Sequence, residues 1–237
     1  NLEHTVKQFD ADLEGLRTRV LAMGGLVEQQ VIFAMDGLES GDMALIERVI
    51  ANDRQVNRHE VELDEACNHV IARRQPAAVD LRMIMTVVKT ITDLERIGDE
   101  AKKIAKMARD IHASDTRMVP RVDLRPPADI AVGMLRKALD AFARLDVTAS
   151  AEVVRQDREV DAGYKAAMRQ LITFMMEDPR TISSSLDLLF VARAIERVGD
   201  HAKNISEYVV YLVKGRDVRH IGLAAMEKEV AQQMDNL

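Results

Sequence analysis

Two acidic pairs occupy equivalent places in two stretches of the chain, Glu95 with Asp99 and Glu196 with Asp200. A spacing of four puts both side chains of a pair on one helix face, about 5–6 Å apart, where like charges repel unless a cation intervenes. A further pair of positions precedes each one: Asp157 with Asp161, and Asp53 with Asn57. If the helices bearing them face each other, four oxygen-bearing side chains converge in each patch. Carboxylate oxygens suit hard cations such as Mg, Ca, Mn or Fe, and zinc with less comfort. The patch that contains Asn57 has one charge fewer and should bind more weakly. A solvated surface is the competing reading, with Asp99 neutralised by Lys102 and Lys103, and Asp200 by Lys203, at helical spacing.

Other reactive side chains carry less. His201 follows Asp200, but its counterpart in the first stretch is Glu100, which favours a private surface role over ligation. Cys67 lies among apolar neighbours as a small buried hydrophobe. The 13 methionines fall mostly at core spacing. Gly98 and Gly199 sit one residue before Asp99 and Asp200, in mid-helix, where glycine costs about 1 kcal/mol relative to alanine. Close approach of another helix, or an ion at the backbone, accounts for both. The chain has no Gly-rich phosphate loop, no GxSxG elbow, no HExxH and no Glu-x-x-His, so enzyme chemistry is not expected.

The elements that must carry these residues are helical. Of 237 residues 47% are hydrophobic and 3% aromatic, with no Trp, 11 Gly and 5 Pro, which suits aliphatic helices better than turn-rich β folds. A net charge of -6 with so few stacking rings speaks against nucleic acid as a partner. A single cysteine makes no internal disulfide, and no stretch reaches the roughly 18 apolar residues of a membrane span, so a cytoplasmic location is expected. The sequence begins without Met, and a few residues are expected ahead of Asn1.

Apolar residues recur at three and four from Val6 to Leu38, from Leu45 to about Arg74 and from Leu81 to His112. Ser40-Gly41-Asp42 reads as a stop and restart, with Asp42 capping the second helix, and Pro76 ends that helix. The prolines Pro120, Pro126 and Pro127 mark a linker. Beyond it helices are expected over about 129–145, 146–176 and 179–213, followed by a charged tail with little pattern. The predicted organisation is all-α: a first three-helix bundle over 1–113, a linker over 114–128, a second bundle over 129–215, and a C-terminal tail over 216–237.

The halves repeat each other. Glu95 through Ile104 aligns with Glu196 through Ile205 with seven of ten positions identical, while Asp53, Val56 and Asn57 match Asp157, Val160 and Asp161. Asp42 matches Asp146 at the same offset. This is a tandem duplication of a three-helix unit, and long helices joined by short turns pack antiparallel, giving six in two bundles side by side.

A two-fold three-helix repeat carrying Glu-Arg-Ile/Val-Gly-Asp in the third helix of each half resembles the PhoU family of bacterial phosphate-control proteins. The likeness extends to Asp64-Glu65-Ala66-Cys67, Arg74-Gln75-Pro76, Asp80-Leu81-Arg82, Met176 through Ile182, and Val213-Lys214-Gly215. It covers about 2–222. The resemblance implies a cytoplasmic adapter, commonly a homodimer, that helps to hold the phosphate-starvation response off when phosphate is plentiful. Its partners would be the PstB ATPase of the Pst transporter, through which it would sit peripherally at the membrane, and the PhoR sensor kinase. In some relatives the Asp/Glu-x-x-x-Asp patches hold iron or zinc clusters, and others bind Mg or Mn or show no metal. Carried over by position, the candidate ligands for such divalent or iron-type ions are Asp53, Glu95 and Asp99 in one half and Asp157, Asp161, Glu196 and Asp200 in the other. Asn57 departs from the acidic pattern. A metal-binding helical bundle devoted to storage or to metal-dependent catalysis is the alternative.

Overall fold

In a computed structural model, which describes residues 2–76, 78–113, 118–215 and 222–234, the chain is built from helices. They are α1 (Leu2–Ser40), α2 (Met43–Arg74), α3 (Ala78–His112), α4 (Arg125–Arg144), α5 (Val147–Glu177), α6 (Ile182–Lys214) and α7 (Gly222–Met234), with a 3₁₀ turn at Pro179–Thr181 before α6. Among the described residues no helix is long and apolar enough to cross a membrane.

The breaks follow from local chemistry. Gly41 adopts φ +71, which its missing Cβ permits, and its N–H closes on the Gly37 carbonyl at 2.9 Å. Asp42 then caps α2, accepting from the Leu45 N–H at 3.2 Å; Asp146 caps α5 in the same way, from Ala149 at 3.0 Å. Pro76 follows the left-handed Gln75 at the end of α2. Two expectations shift here. Helix α4 starts at Arg125, inside the stretch expected as linker, because Pro126 and Pro127 fall in a first turn whose N–H groups have no intrahelical acceptor to lose. Pro179 opens a 3₁₀ turn rather than α6 itself, with the Thr181 hydroxyl donating to the Phe174 and Asp178 carbonyls.

In α1 the buried face runs Leu16, Val20, Met23, Val27, Val31 and Ala34, as the periodicity requires. Val6 and Leu81, where the apolar spacing of the first and third helices begins, are exposed, while Ile46, next to Leu45, is fully buried. Helices α1, α2 and α3 pack on one another, as do α4, α5 and α6; α3 lies against α6 and α1 against α4, so one hydrophobic core spans both halves. Asp93 pairs with Asn204 and Glu100 with Arg197, which makes α3 and α6 antiparallel. The tail also departs from expectation. Met226 of α7 is buried with Val147, Val154 and Val210, flanked by Leu223 and Val230, and Arg155 holds Glu227 at 2.7 Å.

Candidate metal centre

Where α5 passes α6, Gly199 lies against Val160 and Asp157. A Cβ built there would lie 3.4 Å from Val160 Cγ1 and 3.7 Å from Asp157 Oδ1. At the equivalent crossing of α2 and α3, a Cβ on Gly98 would lie 2.9 Å from Val56 Cγ1 and 3.6 Å from Asp53 Oδ1. At both crossings a buried aspartate lies beside the glycine, but only at Gly98 does a neighbouring side chain stand too close for a Cβ.

In the second half Asp157 and Asp161 of α5 and Asp200 of α6 each turn one carboxylate oxygen to a common point, all within 4.8 Å of one another. Lys203 reaches Asp157 Oδ2 at 3.5 Å. Asp157 Oδ1 and Asp161 Oδ1 are buried and have no hydrogen-bond partner among the described residues. Burial, with the charges of Asp157, Glu196 and Asp161 adding to it and Lys203 opposing, pushes the Asp200 carboxyl up to about 6. Burial and Asp161 likewise raise Asp157. Carboxylates crowded out of water with orphaned oxygens form a donor set that a hard cation satisfies, so these residues fit such an ion. Glu196 is not one of these three, though its charge acts on both Asp157 and Asp200. Its carboxylate pairs with Arg193 at 2.7 Å, and the Arg193 guanidinium also lies over the Tyr164 ring, 5.8 Å from its centroid.

The first half is built differently. Asp53 is buried, with Oδ2 on Lys102 at 3.3 Å and Oδ1 orphaned. Burial, a hydrogen bond with Asp99 and the charges of Asp99 and Glu60 push the Glu95 carboxyl up to about 7. Glu60, which the sequence reading passed over, is raised in turn by burial, Asp64 and Asp99. Asn57 is exposed. Glu60 lies seven residues beyond Asp53, two helical turns along the same face, and Tyr164 holds its place in the second half. The repeat alignment hid it, because only one half has an acid there.

His201 is not a surface residue. The Asp93 carboxylate, buried on α3, accepts from His201 Nδ1 at 2.7 Å and Asn204 Nδ2 at 3.1 Å on one oxygen, and from the Tyr208 hydroxyl at 2.6 Å on the other. Lys89 lies over the rings of Tyr208 and Tyr211. Glu100, His201's counterpart, accepts from Lys103 and from Arg197 across the same seam. These polar groups join the halves and stand apart from the carboxylate patches.

Comparison with known proteins adds to this geometry. The PhoU domain family matches twice, over residues 20–108 and 126–209. The chain is 48% identical over 229 residues to a Pseudomonas aeruginosa protein described as phosphate-specific transport system accessory protein PhoU homolog, covering 96% of this chain and 94% of that one. It is 46% identical to the Escherichia coli K12 phosphate-specific transport system accessory protein PhoU, over 97% of this chain and 95% of that protein. The fold superposes on the crystal structure of PhoU from Pseudomonas aeruginosa with a TM-score of 0.84 at 47% identity, covering 88% of this chain and all of that one. On the phosphate transport system regulatory protein PhoU from Streptococcus pneumoniae the TM-score is 0.83 at 27% identity, with 89% and 99% covered.

Proposed function

The chain belongs to the PhoU family, and on that premise we propose that it is a cytoplasmic adapter, working as a homodimer between the Pst phosphate transporter and the PhoR sensor kinase and favouring the repressed state when phosphate is plentiful. The observation that carries this reading is the near end-to-end match to the Escherichia coli accessory protein, with both halves of the repeat aligned. The relatives are described as accessory and regulatory proteins, which supports a regulatory role over storage or catalysis.

The chain's own residues supply the parts of such a device. Asp157, Asp161 and Asp200 would hold a hard divalent or iron-type cation, whose charge relieves their mutual repulsion and offers a positive centre to an anionic oxygen. Lys203 already supplies part of that charge at Asp157. In the first half Asp53, Glu95 and Asp99, joined by Glu60, would serve a second and weaker ion, with exposed Asn57 adding nothing. Signalling then needs only differential affinity: the chain binds one conformation of the transporter better than the other and so biases the kinase toward its phosphatase state.

A phosphate-starvation promoter reporter in phosphate-replete cells tests both layers. Deletion of the chain should switch the promoter on, wild type should silence it, and the combined variant Glu95→Ala, Asp99→Ala, Glu196→Ala, Asp200→Ala should not. A promoter indifferent to deletion would overturn the adapter. Silencing by the combined variant would leave the adapter standing and remove the carboxylates from it.

A further inference from the structure

The outer face of the α5–α6 hairpin carries apolar side chains that the fold does not use. Ile182, Leu186 and Phe190 follow one another at steps of four on α6, exposed by 42%, 42% and 61%. Beside them on α5 stand Ile172 and Met176, the latter 80% exposed. Scattered surface hydrophobes are ordinary, but five exposed ones on the two helices of one hairpin are what an interaction site presents.

The duplicated half provides the control. By the repeat alignment Met176 corresponds to Ala72, Ile172 to Asn68 and Phe190 to Lys89, whereas Ile182 and Leu186 correspond to Leu81 and Met85, which are also exposed. The same helical hairpin therefore forms without apolar residues at the places of Ile172, Met176 and Phe190, and folding does not account for these three. The cations beside the patch are also private to the second half. Lys165 and Arg169, two turns and one turn from Ile172 along α5, correspond to Val61 and Glu65, are exposed, and have no ion-pair partner among the described residues.

We propose that this face, an apolar platform of Met176, Ile182, Leu186 and Phe190 edged by Lys165 and Arg169, docks an acidic amphipathic helix of a partner protein. Two antiparallel helices present a shallow groove, the geometry that receives the apolar stripe of a third helix, and Phe190 and Met176 are an aromatic and an adaptable anchor for it. The free cations select acidic residues beside that stripe. An anionic bilayer suits the face less well. The exposed Glu177 at the tip of the hairpin would have to enter the headgroup layer, whereas a single helix can lie along the groove and leave it in water. The inference rests on the adapter reading, since an adapter must offer a surface to its partner.

The probe is a fluorescein-labelled helical peptide of about 18 residues, with Leu at i, i+3, i+4 and i+7 and Glu on both flanks. Its control replaces every Glu with Lys. Wild-type protein should bind the Glu peptide at least about tenfold more tightly than the Lys peptide, and Met176→Ser with Phe190→Ser should weaken binding by about tenfold or more. Lys165→Glu with Arg169→Glu should reverse the preference, a gain for the Lys peptide that misfolding does not produce. Equal binding of both peptides, or indifference to either double variant, overturns the proposal. So does self-association in light scattering that the serine variant abolishes, which would make the face a contact between two copies. Binding to phosphatidylglycerol vesicles abolished by the same variant would assign the face to lipid instead. The adapter reading is judged separately by the reporter: peptide binding as expected with a promoter indifferent to deletion leaves the surface and removes the adapter.

Discussion

At the scale of single residues, the carboxylate patches hold protons that isolated side chains would release. Asp200 is raised to about 6 and Glu95 to about 7, in both cases chiefly by burial. The folded chain thus binds these protons more tightly than the unfolded chain, and the stability they contribute is full below about pH 4 and is lost as pH rises through about 6 to 7. In EDTA, thermal unfolding should show this contribution falling from pH 5 to pH 8, and Asp200→Asn should flatten the fall while raising the melting temperature at pH 8. A profile unchanged by Asp200→Asn would refute the account. The sequence made the aspartates of this site legible because helical spacing and duplication coincide there. Glu60 and the Asp93 network were not legible for the opposite reason: each depends on which residue of one helix meets which of another, and neither repeats.

At the scale of elements, the two glycine crossings are unequal. A methyl group at Gly98 would come within 2.9 Å of Val56 Cγ1, a β-branched side chain fully buried and without room to turn, whereas at Gly199 the nearest atom is 3.4 Å away. Alanine gains about 1 kcal/mol of helix propensity at either position, and overpacking takes back about 1–3 kcal/mol. Gly98→Ala should therefore destabilise the protein by about 1–2 kcal/mol, while Gly199→Ala should be neutral or slightly stabilising, as read from urea unfolding. Equal effects would mean that the crossings are interchangeable. Helix order and most helix ends could be read from caps and apolar spacing, with the misses concentrated where one signal had two meanings. Paired prolines signalled a linker and opened a helix, and the tail's Leu223, Met226 and Val230 were too few to outweigh its charge.

At the scale of the whole molecule, the halves are joined through their interiors. Core residues of α3 and α6 belong to one cluster with those of α1 and α4, and the buried Asp93 accepts, among the described residues, from three donors that all lie in the other half. Urea should unfold the protein in a single transition, monitored alike by circular dichroism and by tyrosine fluorescence. Residues 1–113 alone should fail to form a stable fold, because α3 would expose the face it now turns to α6 and leave Asp93 without partners. Two separate transitions would show that the bundles are autonomous.

The seam between α3 and α6 also bears on how such a chain can change over time. A duplicated unit begins as two interchangeable copies, yet here their contact has become directional. Setting a first half against another first half in the same antiparallel arrangement would put Glu100, Lys103 and Met107 opposite Asp93, where His201, Asn204 and Tyr208 now stand; a pair of second halves would put Ala194 opposite those three donors. A pair of second halves leaves those donors without a carboxylate, and a pair of first halves offers Asp93 a single lysine beside a repelling Glu100 in place of three donors. The chain is in effect an internal heterodimer, each half completing the other at the seam, and its two outer patches are free to differ: one carries a cluster of three aspartates, the other a mixed set that includes Glu60.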